Sequence, residues 1–91
     1  MQPVLMISGG DNVATALEAL AAGRAIEVNG LAVTVREPIP PGHKVAVRPI
    51  PAGGVVIKYG SPIGTATAAI VPGDHVHVHN VASARGRGDL R

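Results

Sequence analysis

The segment "IPPGHKVAV", residues 39–47, decides the fold because it has three counterparts along the 91-residue chain. Each copy starts with an aliphatic residue, passes through two small or proline residues to a glycine, and ends in an alternating segment. The counterparts are "LAAGRAIEV" (20–28), "IPAGGVVIK" (50–58) and "IVPGDHVHV" (70–78). Proline presets φ at about −65° and glycine accepts positive φ, so each copy reads as a turn that starts a strand. The repeat therefore predicts a compact, turn-rich, mainly β protein.

Outside the repeat, the "NG" pair at Asn29–Gly30 is a strong hairpin signal between two alternating segments. Twelve glycines and eight prolines argue against a long helix. The segment of residues 11–23 is ambiguous, because Asp11 followed by an Ala- and Leu-rich stretch favours a helix locally, whereas the repeat favours a strand and a turn. The predicted strands are Val4–Ile7, Ala25–Val28, Leu31–Arg36, Lys44–Pro49, Val55–Tyr59, Gly64–Ile70 and His75–Val81.

Length and composition exclude several classes of protein. With no cysteine, the chain has no disulfide, no thiolate metal site and no cysteine nucleophile. A net charge of +2 and a single aromatic residue give poor support for nucleic-acid binding. No apolar stretch approaches the roughly 20 residues that span a bilayer, and the N-terminus lacks a signal peptide pattern, so no membrane contact and a cytoplasmic location are expected.

We predict one domain over residues 1–81, followed by a basic tail over residues 82–91 that is expected to be flexible. A chain of this size has little material for both a core and a cleft. Its size alone therefore favours a partner chain or self-association into a homo-oligomer.

The segment "HVHVHN" places His75, His77 and His79 at alternate positions, so a regular strand would put all three rings on one face. Val76 and Val78 would then face the core. Side chains two apart on a strand are about 7 Å apart, which allows two imidazoles to reach one metal ion. Three interpretations stay open from spacing alone: a solvated face, metal binding, or a direct role toward a substrate as general base or carboxylate-binding group.

Other polar residues come next to predicted turns. His43 and Lys44 follow a Pro-Pro turn, and Lys58 ends a strand where it could hold a substrate carboxylate or simply be solvated. Tyr59, beside it, is the largest side chain available to fill the core. Asp11 and Asn12 are expected to cap a turn, with ion binding as the alternative.

Five motifs, in one order, resemble the N-terminal SAF-type domain of the altronate/galactarate dehydratase family, and most closely members in which this domain is a separate small subunit. The motifs are "DNVATAL", "IPPGHKVAV", "VIKYGSPIGTATAAI", "GDHVHVHNV" and "SARGRGDL". The resemblance extends from about Val4 to the C-terminus. It implies a SAF-type β-clip fold of short strands and hairpins, and it assigns Asn12–Leu17 to a strand against local propensity.

The resemblance further implies the small subunit of a lyase that dehydrates a sugar acid, which is a 2-hydroxy acid, by β-elimination to a 2-keto-3-deoxy acid. The chain would act with a large dehydratase subunit and be inactive alone. A divalent metal (Fe, Mn or Mg) would be held mainly by that subunit. A sulfolactate sulfo-lyase small subunit, a non-catalytic sugar-acid binding module and a structural assembly domain are the alternatives.

Within that scheme, we expect the strand face that carries His75, His77 and His79 to line a cleft against the large subunit, with Asn80, His43 and Lys58 nearby. The candidate catalytic residues are His77 and His79. The candidate substrate-binding residues are His43, Lys44, Lys58 and Asn80. The candidate metal ligands are His75 and His77.

Overall fold

The computed structural model describes residues 3–83, in which nine short strands form three antiparallel sheets and no helix is present. The strands are β1 (Val4–Leu5), β2 (Val13–Ala16), β3 (Ala25–Val28), β4 (Leu31–Thr34), β5 (Lys44–Ala46), β6 (Val55–Lys58), β7 (Ser61–Ala66), β8 (His75–Val76) and β9 (Val81–Ser83). The sheets have the orders β1-β2-β5-β8, β3-β4 and β6-β7-β9. The mainly β prediction is confirmed. Across this part of the chain no helical segment could cross a membrane.

The four copies of the repeat share one geometry. The first residues of the copies pair in two isolated bridges, Leu20 with Ile39 and Ile50 with Ile70, and all four side chains are buried. The glycine of every copy has a positive φ, between 82° and 95°. Gly73 is additionally constrained, because a Cβ atom there would overlap the carbonyl oxygen of Thr34. The repeat therefore encodes both the turns and the way the copies join in pairs.

Two aliphatic clusters form the core, on either side of the largest sheet. The first contains Val4, Met6, Ala14, Ala16, Leu20, Ile26, Val28, Val33, Val35, Ile39, Val45 and Val47. The second contains Val13, Ala46, Ile50, Val56, Ala66, Ile70 and Val76. Adjacent residues of β5 thus serve different clusters, because successive side chains of a strand point to opposite faces.

The strand assignment of the ambiguous segment is confirmed by β2, which pairs with both β1 and β5. Several predicted strands are shorter in the structure. β1, β4 and β5 end two to three residues before their predicted C-terminal bounds. The predicted strand Gly64–Ile70 is displaced: β7 begins at Ser61 and ends at Ala66, and Ile70 is reached only through its isolated bridge.

The predicted strand His75–Val81 is wrong. β8 ends at Val76, residues 77–80 form a turn, and β9 then pairs with β7. The reason is Asn80, whose side chain closes the turn. Its Oδ1 accepts the His77 N–H at 2.9 Å, and its Nδ2 donates to the His75 carbonyl at 2.9 Å.

This turn also changes where the valines lie. Val76 is fully buried as expected, but Val78 is 82% exposed, so the prediction that both valines face the core is wrong for Val78. β9 includes the first two residues of the predicted tail, Ala82 and Ser83. The remainder of that tail, residues 84–91, lies outside the described residues.

Candidate functional site

All four histidines of the sequence come together at one end of the β5–β8 pair; we call His43, His75, His77 and His79 the histidine cluster. The His43 and His77 rings stack with centroids 4.1 Å apart, and the His43 and His75 rings with centroids 5.0 Å apart. His43 Nδ1 lies 2.8 Å from His75 Nε2, which is a hydrogen bond. The His79 ring centroid lies 5.3 Å from that of His75.

Strand register explains why His43 joins residues more than thirty positions away. β5 and β8 pair Lys44 with Val76 and Val45 with His75, so the next position along the ladder sets His43 opposite His77. The segment before β8 is held by its neighbours: Arg36 forms a salt bridge of 3.0 Å with Asp74, and the His75 N–H donates to Glu37 at 3.1 Å. The imidazoles are therefore positioned by backbone pairing as well as by their own contacts.

The surroundings of His75 and His77 favour the neutral form of these two rings. Burial lowers the pKa of His75, and the neighbouring rings of the cluster, His43 first, lower it further, while Glu37 opposes them. Burial also lowers the pKa of His77, followed by His43 and Lys44. A neutral imidazole has one free nitrogen lone pair, so it can accept a proton or bind a metal ion.

A groove of about 330 Å³ opens beside the histidine cluster. We call it the lysine groove because both lysines of the sequence line it. Its lining residues are Lys44, Lys58, Ile63, His77, Val78, Val81 and Ser83. His77 therefore belongs to both features and connects them.

The two lysines make the groove cationic. Burial lowers the pKa of Lys44, and the Lys58 ammonium lowers it further by repulsion. Lys58 Nζ also lies 4.8 Å from the centre of the Tyr59 ring. Two close ammonium groups in a partly apolar groove favour the binding of an anion such as a carboxylate, which relieves their repulsion.

Asp11 and Asn12 hold the β6–β7 hairpin, which carries Lys58. The fully buried Asp11 carboxylate accepts the N–H groups of Tyr59 and Gly60 at 2.9 and 2.8 Å. The Asn12 side chain accepts from the Ile57 N–H at 2.8 Å and donates to the Val55 carbonyl at 2.9 Å, spanning a register shift in β6. The predicted cap role is therefore observed. Its shortest bonds reach across more than forty residues, and a longer local bond of 3.4 Å to Asp11 comes from the Ser8 N–H.

The other predicted site residues fall into distinct positions. His43 and Lys44 lie at the start of β5, and Lys58 ends β6. His79 belongs to the histidine cluster but does not line the lysine groove. Asn80 uses its amide in the turn that positions His77, so its predicted contact with substrate stays a prediction. Tyr59 is 42% exposed and does not fill the core.

Comparison with known proteins gives a consistent family. The model for the altronate/galactarate dehydratase SAF domain matches residues 2–84. Altronate dehydratase of Escherichia coli K12 is 51% identical over 70 residues, which is 77% of this chain and 14% of that protein. Altronate dehydratase of Bacillus subtilis 168 is 38% identical over 80 residues, which is 88% of this chain and 16% of that protein.

A third relative is (2R)-sulfolactate sulfo-lyase subunit alpha of Chromohalobacter salexigens, 47% identical over 51 residues, which is 56% of this chain and 54% of that subunit. The chain thus spans only a part of each of these relatives, and a small part of the dehydratases. Because the family match includes every described residue, this chain belongs to the altronate/galactarate dehydratase SAF domain family.

Proposed function

We propose that this chain is the SAF-domain component of a lyase that removes water from a sugar acid and acts together with a separate, larger chain. The observation that carries the proposal is that every histidine and lysine of the sequence lies at the histidine cluster or the lysine groove. Relatives named as dehydratases support the reaction class. The small share of those relatives that the chain covers supports a larger partner.

The reaction sets defined demands on such a site. A base removes the proton from C2 of a 2,3-dihydroxy acid, the C3–O bond breaks, and the leaving hydroxide departs as water after protonation. The resulting enol becomes a 2-keto-3-deoxy acid. In the altronate/galactarate dehydratase family a divalent metal is expected to act as a Lewis acid on the carboxylate and 2-hydroxyl of the substrate. We assign that ion mainly to the larger chain.

This chain would supply charge and proton transfer. Lys44 and Lys58 hold the substrate carboxylate through their charge, and their partly apolar groove strengthens that attraction by excluding water. His77 lines the same groove and is the first candidate for moving a proton. His79 is the second candidate, since its exposed ring would need the partner chain to complete a binding surface around it.

The test uses the full chain and the larger chain that co-purifies with it. Turnover of altronate and galactarate is followed as 2-keto acid formation. We expect Lys44→Met and Lys58→Met each to raise KM about tenfold or more, as expected for a lost charge-assisted contact. Arg24→Met is the matched control, because Arg24 pairs with Glu18 on the surface and does not line the groove.

Separate His77→Gln and His79→Gln variants distinguish the two proton-transfer candidates through kcat. General acid–base catalysis contributes about 100-fold to 10,000-fold, so the true participant shows a loss of that size. The proposal is wrong if the assembled complex makes no 2-keto acid, or if the Lys44→Met/Lys58→Met double variant has unchanged kinetics.

A sulfo-lyase role is the second candidate. The relatives named as sulfo-lyase alpha subunits are small enough that the chain covers 54% and 79% of two of them. Release of sulfite from (2R)-sulfolactate by the assembled complex, in place of dehydration, would favour this candidate. The non-catalytic alternatives differ again: a binding module binds the sugar acid alone, whereas an assembly domain is insensitive to changes in the lysine groove.

A further inference from the structure

Three members of the histidine cluster, His43, His75 and His77, form a compact group from two separate segments. One ring nitrogen from each lies within 4.8 Å of the others. All three side chains are partly buried, so they are neither freely solvated nor closed off from an incoming ion. Among residues 3–83 this is the group of histidine and acidic side chains whose spacing could accommodate a metal ion.

The donor set selects the kind of ion. Imidazole nitrogen suits Zn, Cu, Fe, Co and Ni, whereas Mg²⁺ prefers oxygen ligands. Zn–N bonds of about 2.0–2.1 Å in a tetrahedral site place ligand nitrogens roughly 3.3 Å apart. The His43 and His75 nitrogens, which are 2.8 Å apart, would therefore have to move slightly apart to bind one ion. The two most distant ligand nitrogens of the group, at no more than 4.8 Å, would have to move closer together. Because the three rings are partly exposed, small rotations would be enough for both changes.

We propose that His43, His75 and His77 form a three-imidazole site that binds one first-row divalent transition metal ion on this chain alone, without the larger chain. Three protein ligands would leave a fourth position open, and one of the three, His77, also lines the lysine groove. The site is separate from a metal held by the larger chain and does not depend on the proposed lyase activity. With the ion bound, the ligating nitrogen of His77 is occupied, so the proton-transfer role proposed for His77 applies to the metal-free chain and His79 is the candidate in the metal-bound chain.

The backbone supports the arrangement before any ion binds. The β5–β8 register fixes His43 relative to His75, and the Asn80 side chain fixes the turn that begins at His77. A preorganised set of ligands binds more tightly than one that must be assembled, because less conformational entropy is lost on binding.

The experiment is a titration of the purified, untagged chain with Co²⁺ and, separately, Zn²⁺, after removal of bound metal with a chelator. We expect one equivalent of metal to bind, seen as the visible absorption of Co²⁺ and as heat with Zn²⁺. Nitrogen-15 shifts of the wild-type imidazole rings identify the ligating nitrogens without any substitution. His43→Gln, His75→Gln and His77→Gln should each weaken binding at least tenfold.

His79→Gln is the matched control: its ring lies near His75 but contributes no atom to the group, so its affinity should stay within about twofold of wild type. Circular dichroism confirms that each variant is folded. The proposal is overturned if the wild-type chain binds no metal, if the ring shifts fall on His79 instead of His43, or if His79→Gln weakens binding as much as His43→Gln.

Discussion

The two hairpins β3–β4 and β6–β7 have turns of the same length and backbone shape, yet they are held in different ways. The first turns at Asn29 and Gly30 with φ values of 49° and 79°, and the second at Tyr59 and Gly60 with φ values of 55° and 76°. Asparagine is well suited to positive φ, whereas a bulky residue there is a genuine outlier. The first hairpin is therefore favoured by its own sequence, and the second needs support from elsewhere.

That support comes from Asp11 and Asn12. The first hairpin keeps a regular register from Ala25–Thr34 to Val28–Leu31, while the second has a shift between Val56 and Ile57. The hairpin with outside support is also the one that carries Lys58 into the lysine groove. Departures from local rules are thus concentrated where the candidate site is built, as is common in proteins.

The largest expected effect comes from removing the support of the second hairpin. Asp11→Ala leaves the N–H groups of Tyr59 and Gly60 without their charged acceptor, and we expect a loss of about 3 kcal/mol in the free energy of unfolding. Denaturant unfolding measures the loss, and amide exchange should accelerate at those two residues first. Glu27→Ala, at an exposed position of β3, should change the free energy of unfolding by less than about 0.5 kcal/mol. Equal losses of stability in Asp11→Ala and Glu27→Ala would contradict the role of Asp11 as the support of the β6–β7 hairpin.

The same carboxylate gives a pH dependence. Burial raises the pKa of Asp11, but the N–H groups of Gly60, Tyr59 and Ser8 outweigh burial and hold that pKa below its ordinary 3.8. The folded state thus binds this proton less readily than the unfolded state, so the stabilisation is complete above the unfolded value and lost as pH falls through the folded pKa. The stability difference between wild type and Asp11→Asn should be constant from about pH 7 to pH 5 and shrink below about pH 4. A difference that grows on acidification would refute this assignment.

A smaller effect is expected at the register shift. Asn12→Ala removes both side-chain hydrogen bonds to β6 and should cost about 1–2 kcal/mol, with faster exchange of the Ile57 amide. The β3–β4 amides should keep their protection, since no Asn12 contact reaches them among the hydrogen bonds of residues 3–83. Uniform loss of protection in both hairpins would show that they unfold as one unit.

The smallest effect has the opposite sign. Tyr59→Asn gives the second turn the same residue pair as the first and relieves the unfavourable φ, so we expect a gain of up to about 1 kcal/mol. Its loss of the Thr15 hydroxyl contact at 3.4 Å offsets little of that gain. The reciprocal variant Asn29→Tyr should destabilise by a similar amount. Thermal unfolding measures the stability of both variants. A lower stability of Tyr59→Asn would mean that the tyrosine ring stabilises the fold by more than its positive φ costs.

The same contrast explains what the sequence could predict. The Asn29–Gly30 hairpin and the glycine turns of the repeat depend on neighbours in the chain, so local rules identified them. The turn at Tyr59–Gly60 depends on a carboxylate 48 and 49 residues away, which no local pattern contains. The break after Val76 depends on one amide, and alternation predicted a continuing strand because Asn80 fits either structure until its partners are known.

The site shows a similar limit. Alternation drew attention to His75, His77 and His79, although the strand it predicted ends at Val76. The prediction that His43 and Lys58 lie close to them rested on a resemblance to known proteins. Stacking of His43 on His77 requires the β5–β8 register, which follows from burial on both faces of the sheet. The asparagine that follows the histidines was a usable signal, because Asn favours turns over strand interiors.

The position of β5 between the two aliphatic clusters limits how far the register of this strand can shift. Val45 fills one cluster and Ala46 the other, so sliding this strand by a single residue would force a valine into a space shaped for a methyl group and leave a void opposite. The packing of both clusters therefore opposes a one-residue shift of β5. The position of His43 relative to His75 and His77 is consequently set by the packing of β5 in both clusters. A change in this spacing would require the whole strand to shift its register.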